Sequence, residues 1–128
     1  MEQFKRRIKS IEDFSNLKRQ GASMHVLCVL NACEATHLES KEKLFDTYIN
    51  TEQQVYIARH HITELMQSMV SVSNVKHAFI YLFEGGFLDR VVVHKNTLEI
   101  VDSNEFSGRS VTMYYRCSQK AKLLFSQI

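Results

Sequence analysis

The pair Gly85-Gly86 divides this chain into two parts with different hydrophobic periodicity. Before the pair, apolar residues recur at three- and four-residue spacing, which is typical of amphipathic helices. After it, residues 87–93 and 110–116 are rich in β-branched and aromatic side chains, which favour strands. Because glycine tolerates the backbone conformations that end a helix, the pair marks a boundary between helices and a sheet. The pattern predicts an α+β fold that is mostly helical.

The part before the glycines is predicted to contain six helices, and one more helix closes the chain. Asn50 followed by Gln53 resembles a helix cap with its reciprocal partner, and Ser73 is expected to cap the helix that ends at the glycines. The segment 24–33 is apolar on nearly all sides, so it is expected to be buried in a core or against another subunit. The predicted helices are residues 2–16, 24–37, 40–49, 51–61, 63–69, 74–84 and 118–127.

Composition limits the classes of protein to which the chain can belong. With 128 residues, 45% of them apolar, it can build one domain with a substantial core. No apolar run approaches the roughly 20 residues needed to span a bilayer, and no apolar stretch follows the basic N-terminus as in a secretory signal. Three cysteines without metal-like spacing suit a reducing compartment. These features predict a cytoplasmic protein that does not enter membranes.

Charge is unevenly distributed although the formal net charge is only +2. Residues 1–20 and 70–128 carry more Lys and Arg than acids, whereas residues 34–64 carry more acids. A protein that meets DNA with one face and a partner with another has such a pattern, but the pattern does not require either function.

Two segments resemble winged helix-turn-helix repressors. The stretch VSVSNVKHAFIYLFEGGFLDR at residues 70–90 resembles their recognition helix and first wing strand, with Val75, Phe79 and Leu82 on the apolar positions. Downstream, GRSVTMYY at 108–115 and SQKAKLLF at 118–125 are similar to the second wing strand and the following turn of the MarR family. The resemblance implies a winged helix-turn-helix over residues 51–128, preceded by N-terminal helices within residues 1–50, in one compact domain.

The resemblance also implies a sequence-specific, duplex-DNA-binding transcriptional regulator. Its recognition helix would span about residues 73–84 and its wing about residues 87–116. A recognition helix offers short polar or basic side chains near its N-terminus, and basic residues of a wing contact the DNA backbone or minor groove. The residues expected to bind DNA are Ser71, Ser73, Asn74, Lys76, His77, Arg90, Lys95 and Arg109.

Operator recognition by two-fold symmetric proteins leads us to expect a homodimer. Residues 2–16 and 24–37 are expected to hold it, because the second segment is more apolar than one short domain requires. An alternative function stays open, in which a winged helix docks on a transcription factor or on polymerase without contacting DNA.

Other kinds of site find little support in the sequence. His60 and Glu64 share a helical face, with His61 beside them, but no further zinc ligand follows at a recognisable spacing. Cys28 and Cys33 are expected to be small core residues. No nucleophile, base and acid occur in a catalytic pattern, and no phosphate-binding loop is present. The sequence therefore predicts neither an enzyme nor a bound metal or cofactor.

Overall fold

A computed structural model describes residues 2–39, 46–102 and 110–125 of the chain. It confirms the α+β class. The helices are α1 (Glu2–Ser15), α2 (Gln20–Glu39), α3 (Arg59–Met66), α4 (Val72–Glu84) and α5 (Gln119–Phe125). The strands are β1 (Thr47–Ile49), β2 (Val55–Ala58), β3 (Leu88–His94), β4 (Ile100–Val101) and β5 (Val111–Cys117).

The strands form one antiparallel sheet in the order β1-β2-β5-β3-β4. The strand β5 lies at its centre and pairs with β3 from Leu88 opposite Cys117 to His94 opposite Val111. On its other side, β5 pairs with β2, where Ile57 lies opposite Tyr115. The helices α3 and α4 connect β2 to β3. The central strand β5 therefore lies between a strand that precedes this helical pair in the sequence and a strand that follows it.

The helix α2 runs through the middle of the core. Val26, Leu27 and Leu30 are completely buried, and α2 contacts α3, α4, β2 and β5. Phe14 of α1 and Ala121 of α5 belong to the same hydrophobic cluster. The apolar character of α2 is thus explained by burial within its own chain, which removes the reason for assigning this helix to a dimer interface. The core joins residues on both sides of position 50.

The predicted helix at 51–61 is wrong. Residues 55–58 form β2, and α3 begins only at Arg59. Asn50 caps a hairpin turn rather than a helix, since its Oδ1 accepts hydrogen bonds from the backbone N–H groups of Glu52 and Gln54 at 3.1 and 2.9 Å. Asn serves in such turns as readily as at helix N-termini, so the local pattern did not distinguish them. Pairing with β1 and β5 makes the segment a strand.

Three further boundaries differ from the prediction. The predicted helix at 40–49 is wrong at its end, where β1 pairs with β2; residues 40–45 lie outside the described residues. Thr63 does not start a helix, because it lies within α3 and its hydroxyl donates to the Arg59 carbonyl at 3.0 Å. The cap of α4 is Ser71 rather than Ser73. After β3 the chain turns back, so that β4 pairs antiparallel with it.

The glycine pair ends α4 as predicted. The N–H of Gly85 donates to the Tyr81 carbonyl, and that of Phe87 donates to the Leu82 carbonyl, each at 2.9 Å. Gly86 has a φ of +82°, a conformation that an L side chain rarely adopts. These bonds satisfy the last carbonyls of the helix and direct the chain into β3. The strands β3 and β5 begin and end within one residue of their predicted limits.

One face of the sheet carries a tyrosine cluster whose ionisation is linked to folding. The rings of Tyr48 and Tyr114 lie 6.2 Å apart, and the Tyr114 hydroxyl donates to Asp46 at 3.0 Å. Burial, with Asp46 beside it, raises the pKa of Tyr114 to about 12. A pKa raised by folding stabilises the protein below the unfolded value of about 10, and this stabilisation is lost as the pH rises from there towards the folded value.

We therefore expect Tyr114→Phe to remove part of the alkaline loss of stability. At neutral pH the variant should unfold more easily by about 0.5–1.5 kcal/mol, because a hydrogen bond is lost. The difference from wild type should shrink between about pH 10 and pH 12. Urea unfolding across this range measures it. Tyr81→Phe is the control, since the structure shows no hydrogen bond of the Tyr81 hydroxyl within the described residues. A wild-type difference that stays constant with pH would contradict the linkage.

Candidate nucleic-acid interface

The helix α4 has one buried face and one face towards solvent. Ser71 begins the helix by accepting a hydrogen bond from the backbone N–H of Asn74 at 3.2 Å. The apolar residues then recur at helical spacing, so that all of them point into the core. The buried residues of α4 are Val75, Ala78, Phe79 and Leu82. The opposite face carries exposed side chains, among them Ser73, Lys76 and Ile80.

Ser73 and Lys76 lie exposed near the N-terminus of α4. His77 is half-buried, and its Nδ1 lies 2.7 Å from the Ser73 carbonyl oxygen, to which a protonated Nδ1 donates. The imidazole also stacks on Tyr81, with centroids 6.5 Å apart. His77 is therefore held against its own helix, whereas the Lys76 side chain forms no ion pair within the described part of the chain.

Asn74 faces a different neighbour from Lys76. Its Oδ1 accepts a hydrogen bond from the guanidinium of Arg19, which lies in the turn between α1 and α2. This contact fixes the start of α4 to the N-terminal helices. The side-chain carbonyl of Asn74 is thus engaged within the protein, and its NH₂ group is the part that is left for contacts to a ligand.

The strand β3 and its following turn contribute two of the predicted residues. Arg90 lies on β3 with its guanidinium over the Phe83 ring, 3.9 Å from the centroid. Lys95 is exposed directly after β3, and its backbone N–H donates to the Ser110 carbonyl at 2.8 Å. Arg109 lies outside the described residues. The sheet therefore brings Arg90 beside the C-terminal half of α4 and leaves Lys95 at the loop end of the β3–β5 hairpin.

Two adjoining depressions connect these residues. The first, about 370 Å³ in volume, lies between α4 and the sheet and is lined by Lys76 and Arg90. The second, about 210 Å³, is lined by Lys95 at the end of β3. Arg59 and Met113 line both. Lys76, Arg90 and Lys95 thus belong to one basic groove, which we define by these three residues and Arg59.

Arg59 is the member of the basic groove that the sequence analysis missed. It is the first residue of α3, and its Nη1 makes a long contact of 3.8 Å with the Met113 sulfur. The structure shows no carboxylate partner for it within the described residues. The only local signal was a basic residue directly after the short apolar segment 55–58. Because that segment was predicted to be helical, the sequence did not place Arg59 beside the sheet.

Outside the basic groove, five of the nine described Lys and Arg side chains form ion pairs, and Lys5, Arg7, Lys18 and Arg19 do not. Lys120 lies 2.8 Å from Asp13, and Arg116 lies 3.2 Å from Asp89. Further pairs join Arg6 to Glu2, Lys9 to Asp13 and Lys122 to Glu34. In the basic groove, Arg59, Lys76 and Lys95 form no ion pair with any described residue, and Glu84 is the acid on its lining. The groove therefore brings four cationic side chains together with one carboxylate on its lining.

No family model, curated protein or solved structure matches this chain. The described residues include no cluster of three or more potential metal ligands, and His60 contacts Asp46 at 3.0 Å. Among the helices that the structure describes, none is long and apolar enough to cross a membrane.

The cysteines occupy two kinds of environment. Cys33 is buried as predicted, but the prediction is wrong for Cys28, which is exposed on α2. Burial raises the pKa of both the Cys33 and the Cys117 thiols, and Glu34 adds to the shift. A raised pKa disfavours the thiolate, so these two residues lack the chemistry of a reactive cysteine.

Proposed function

We propose that this protein binds duplex DNA as a transcriptional regulator through a winged helix-turn-helix formed by α2, β2, α3, α4 and the hairpin of β3 and β5. The sheet order β2-β5-β3 and the insertion of α3 and α4 between β2 and β3 support this fold. The observation that carries the function is the basic groove, whose Arg59, Lys76 and Lys95 lack carboxylate partners among the described residues. A polyphosphate backbone supplies the missing negative charge.

In this proposal α4 enters the major groove with its N-terminal half. Ser73 and Lys76 are the exposed polar residues there, and Lys can contact a guanine edge or a phosphate. Arg59 and Lys95 flank the helix and contact the phosphates, which orients the protein without selecting a sequence. Arg90 supports the site by stacking on Phe83, and Arg109 is assigned to the wing on the basis of sequence resemblance alone.

Docking on a protein of the transcription machinery is a second candidate function. Val72 and Ile80 lie on α4 with 62% and 39% of their surface exposed. Met69, just before the helix, is as exposed as Val72. Apolar side chains on the face that carries Lys76 suit a protein partner better than a phosphate backbone. The same binding experiment separates the two functions.

The DNA proposal predicts binding that weakens linearly on a logarithmic salt scale. Fluorescence anisotropy with labelled duplexes, of random and of selected sequence, measures the affinity from about 50 to about 200 mM salt. Arg59→Ala should weaken binding to all duplexes and reduce the salt slope by about 0.9, the value for one phosphate contact. Lys76→Ala should cost about 1–3 kcal/mol, and mainly on the selected sequence, if Lys76 contacts a base.

Arg6→Ala is the matched control, because it removes one positive charge on α1, outside both depressions of the basic groove. It should leave affinity and salt slope close to wild type. If the wild type shows no salt-dependent binding to any duplex, the DNA proposal fails and docking on a protein becomes the better explanation. If it binds but Arg59→Ala and Lys76→Ala behave like Arg6→Ala, the DNA is bound by another face.

A further inference from the structure

The helix α1 carries large apolar side chains on two adjoining faces. One face packs into the protein, where Phe14 meets the Phe87 ring edge-on at 5.6 Å and Ser10 is buried. The other face carries Phe4, Ile8 and Ile11, whose surfaces are exposed by 50%, 42% and 46%. We call these three residues the α1 stripe. Their spacing of four and three places them side by side along the helix.

The three side chains of the α1 stripe form one contiguous apolar surface. Single exposed apolar side chains are common, but a contiguous row of large ones on a single helix is typical of an interaction site. Burying each of these side chains would contribute free energy in proportion to the apolar area removed from water. The charges along the edge of the α1 stripe indicate what kind of surface covers it.

Lys5 and Glu12 border the same edge of the α1 stripe. They are seven residues apart, or nearly two helical turns, and both are exposed. Neither forms an ion pair with a described residue, whereas Arg6 and Lys9 on the far side of the helix do. The edge thus has a positive charge near one end and a negative charge near the other.

This arrangement is self-complementary for antiparallel helices. When a two-fold axis passes near Ile8, the edge of one α1 that carries Lys5 and Glu12 lies against the same edge of the other α1. Lys5 of each copy then lies beside Glu12 of the other. Phe4 then packs against Ile11 of the partner, and the two Ile8 side chains meet.

We propose that the α1 stripe binds a second copy of this chain, with the two α1 helices antiparallel. The proposal is independent of DNA binding, because α1 does not contribute to the basic groove. The interface is small and centred on one helix from each copy, so the dimer should be reversible in the micromolar range. Such a dimer would let two basic grooves act on one duplex.

Sedimentation velocity of the full chain without DNA, from low to high micromolar concentration, tests the proposal. The wild type should shift from monomer to dimer over this range. Ile8→Glu places two carboxylates at the two-fold axis and should weaken association at least about tenfold, or about 1.4 kcal/mol. Leu98→Glu is the control, since Leu98 is 75% exposed and lies outside α1. Circular dichroism should show that both variants keep the fold.

A charge exchange tests the antiparallel pairing itself. Lys5→Glu and Glu12→Lys should each weaken the dimer about two- to tenfold, because each creates like-charge contacts on a solvent-exposed edge. The double variant should return to near the wild-type affinity, since both pairs form again with reversed polarity. A double variant no tighter than either single one would overturn the pairing. A wild type that stays monomeric overturns the proposal, and one that also sediments with anionic vesicles would assign the stripe to membranes instead.

Discussion

Replacing Leu82 with alanine is expected to lower the free energy of unfolding by about 2–5 kcal/mol. Leu82 is completely buried on α4, among the apolar residues that join this helix to α2 and β3. Removing most of its side chain leaves a cavity, and the closely packed side chains around it relax only in part to fill that cavity. The loss of transfer free energy and of packing contacts therefore adds up.

Urea unfolding followed by circular dichroism measures this effect. The control is Ile80→Ala, two residues earlier on the exposed face of the same helix, which should change stability by about 0.5 kcal/mol or less beyond helix propensity. If the two variants unfold at the same urea concentration, the buried face of α4 has been assigned incorrectly. The recognition face would then be assigned incorrectly as well, because it is defined as the opposite side.

Glu34→Ala is expected to have the second largest effect, about 2–3 kcal/mol. Glu34 is a buried carboxylate on α2 that accepts a hydrogen bond from the backbone N–H of Cys117 at 3.0 Å and lies 3.4 Å from Lys122 Nζ. It therefore joins α2 to the end of β5 and to α5. Alanine leaves the Cys117 N–H buried without an acceptor, which accounts for most of the cost. The Lys122 pair adds less, since Lys122 is partly exposed to water.

Glu34→Gln separates the two contributions. The amide oxygen of Gln can still accept the Cys117 N–H, so this variant should lose much less stability than Glu34→Ala. Lys122→Met removes the ion pair but keeps the Glu34 carboxylate, and it should cost less than about 1 kcal/mol. Urea unfolding of the three variants gives the comparison. If Gln and Ala at position 34 prove equally destabilising, the charge rather than the backbone hydrogen bond holds this junction.

The sequence alone determined the elements that depend on local chemistry. The apolar spacing of α4, the glycine pair after it and the β-branched residues of β3 and β5 identified a helix followed by two strands within one or two residues. In these elements the signals lie within a few residues of one another, so neighbouring side chains are sufficient to define the structure. The apolar run in α2 likewise indicated burial.

The strand β2 and the basic groove were decided only by the tertiary structure. Residues 55–58 become a strand because they pair with both β1 and β5, and β5 lies more than fifty positions later, where no local pattern reports it. Arg59 becomes part of the groove for the same reason, since Met113 and Lys95 reach it only through the sheet. Long-range pairing therefore converted a predicted helix into the strand that positions the missed residue.

The helix α1 shows the division between sequence and structure most directly. Its periodicity predicted one amphipathic helix with Phe4, Ile8, Ile11 and Phe14 as apolar positions. The structure separates them: Phe14 enters the core, whereas the other three stay outside. The buried Ser10 lies on the same face as Phe14, where α1 packs against α5. Hydrophobic spacing established that a helix forms, but only close packing against α5 decided which face turned inwards, because that choice depends on the shape of a distant partner.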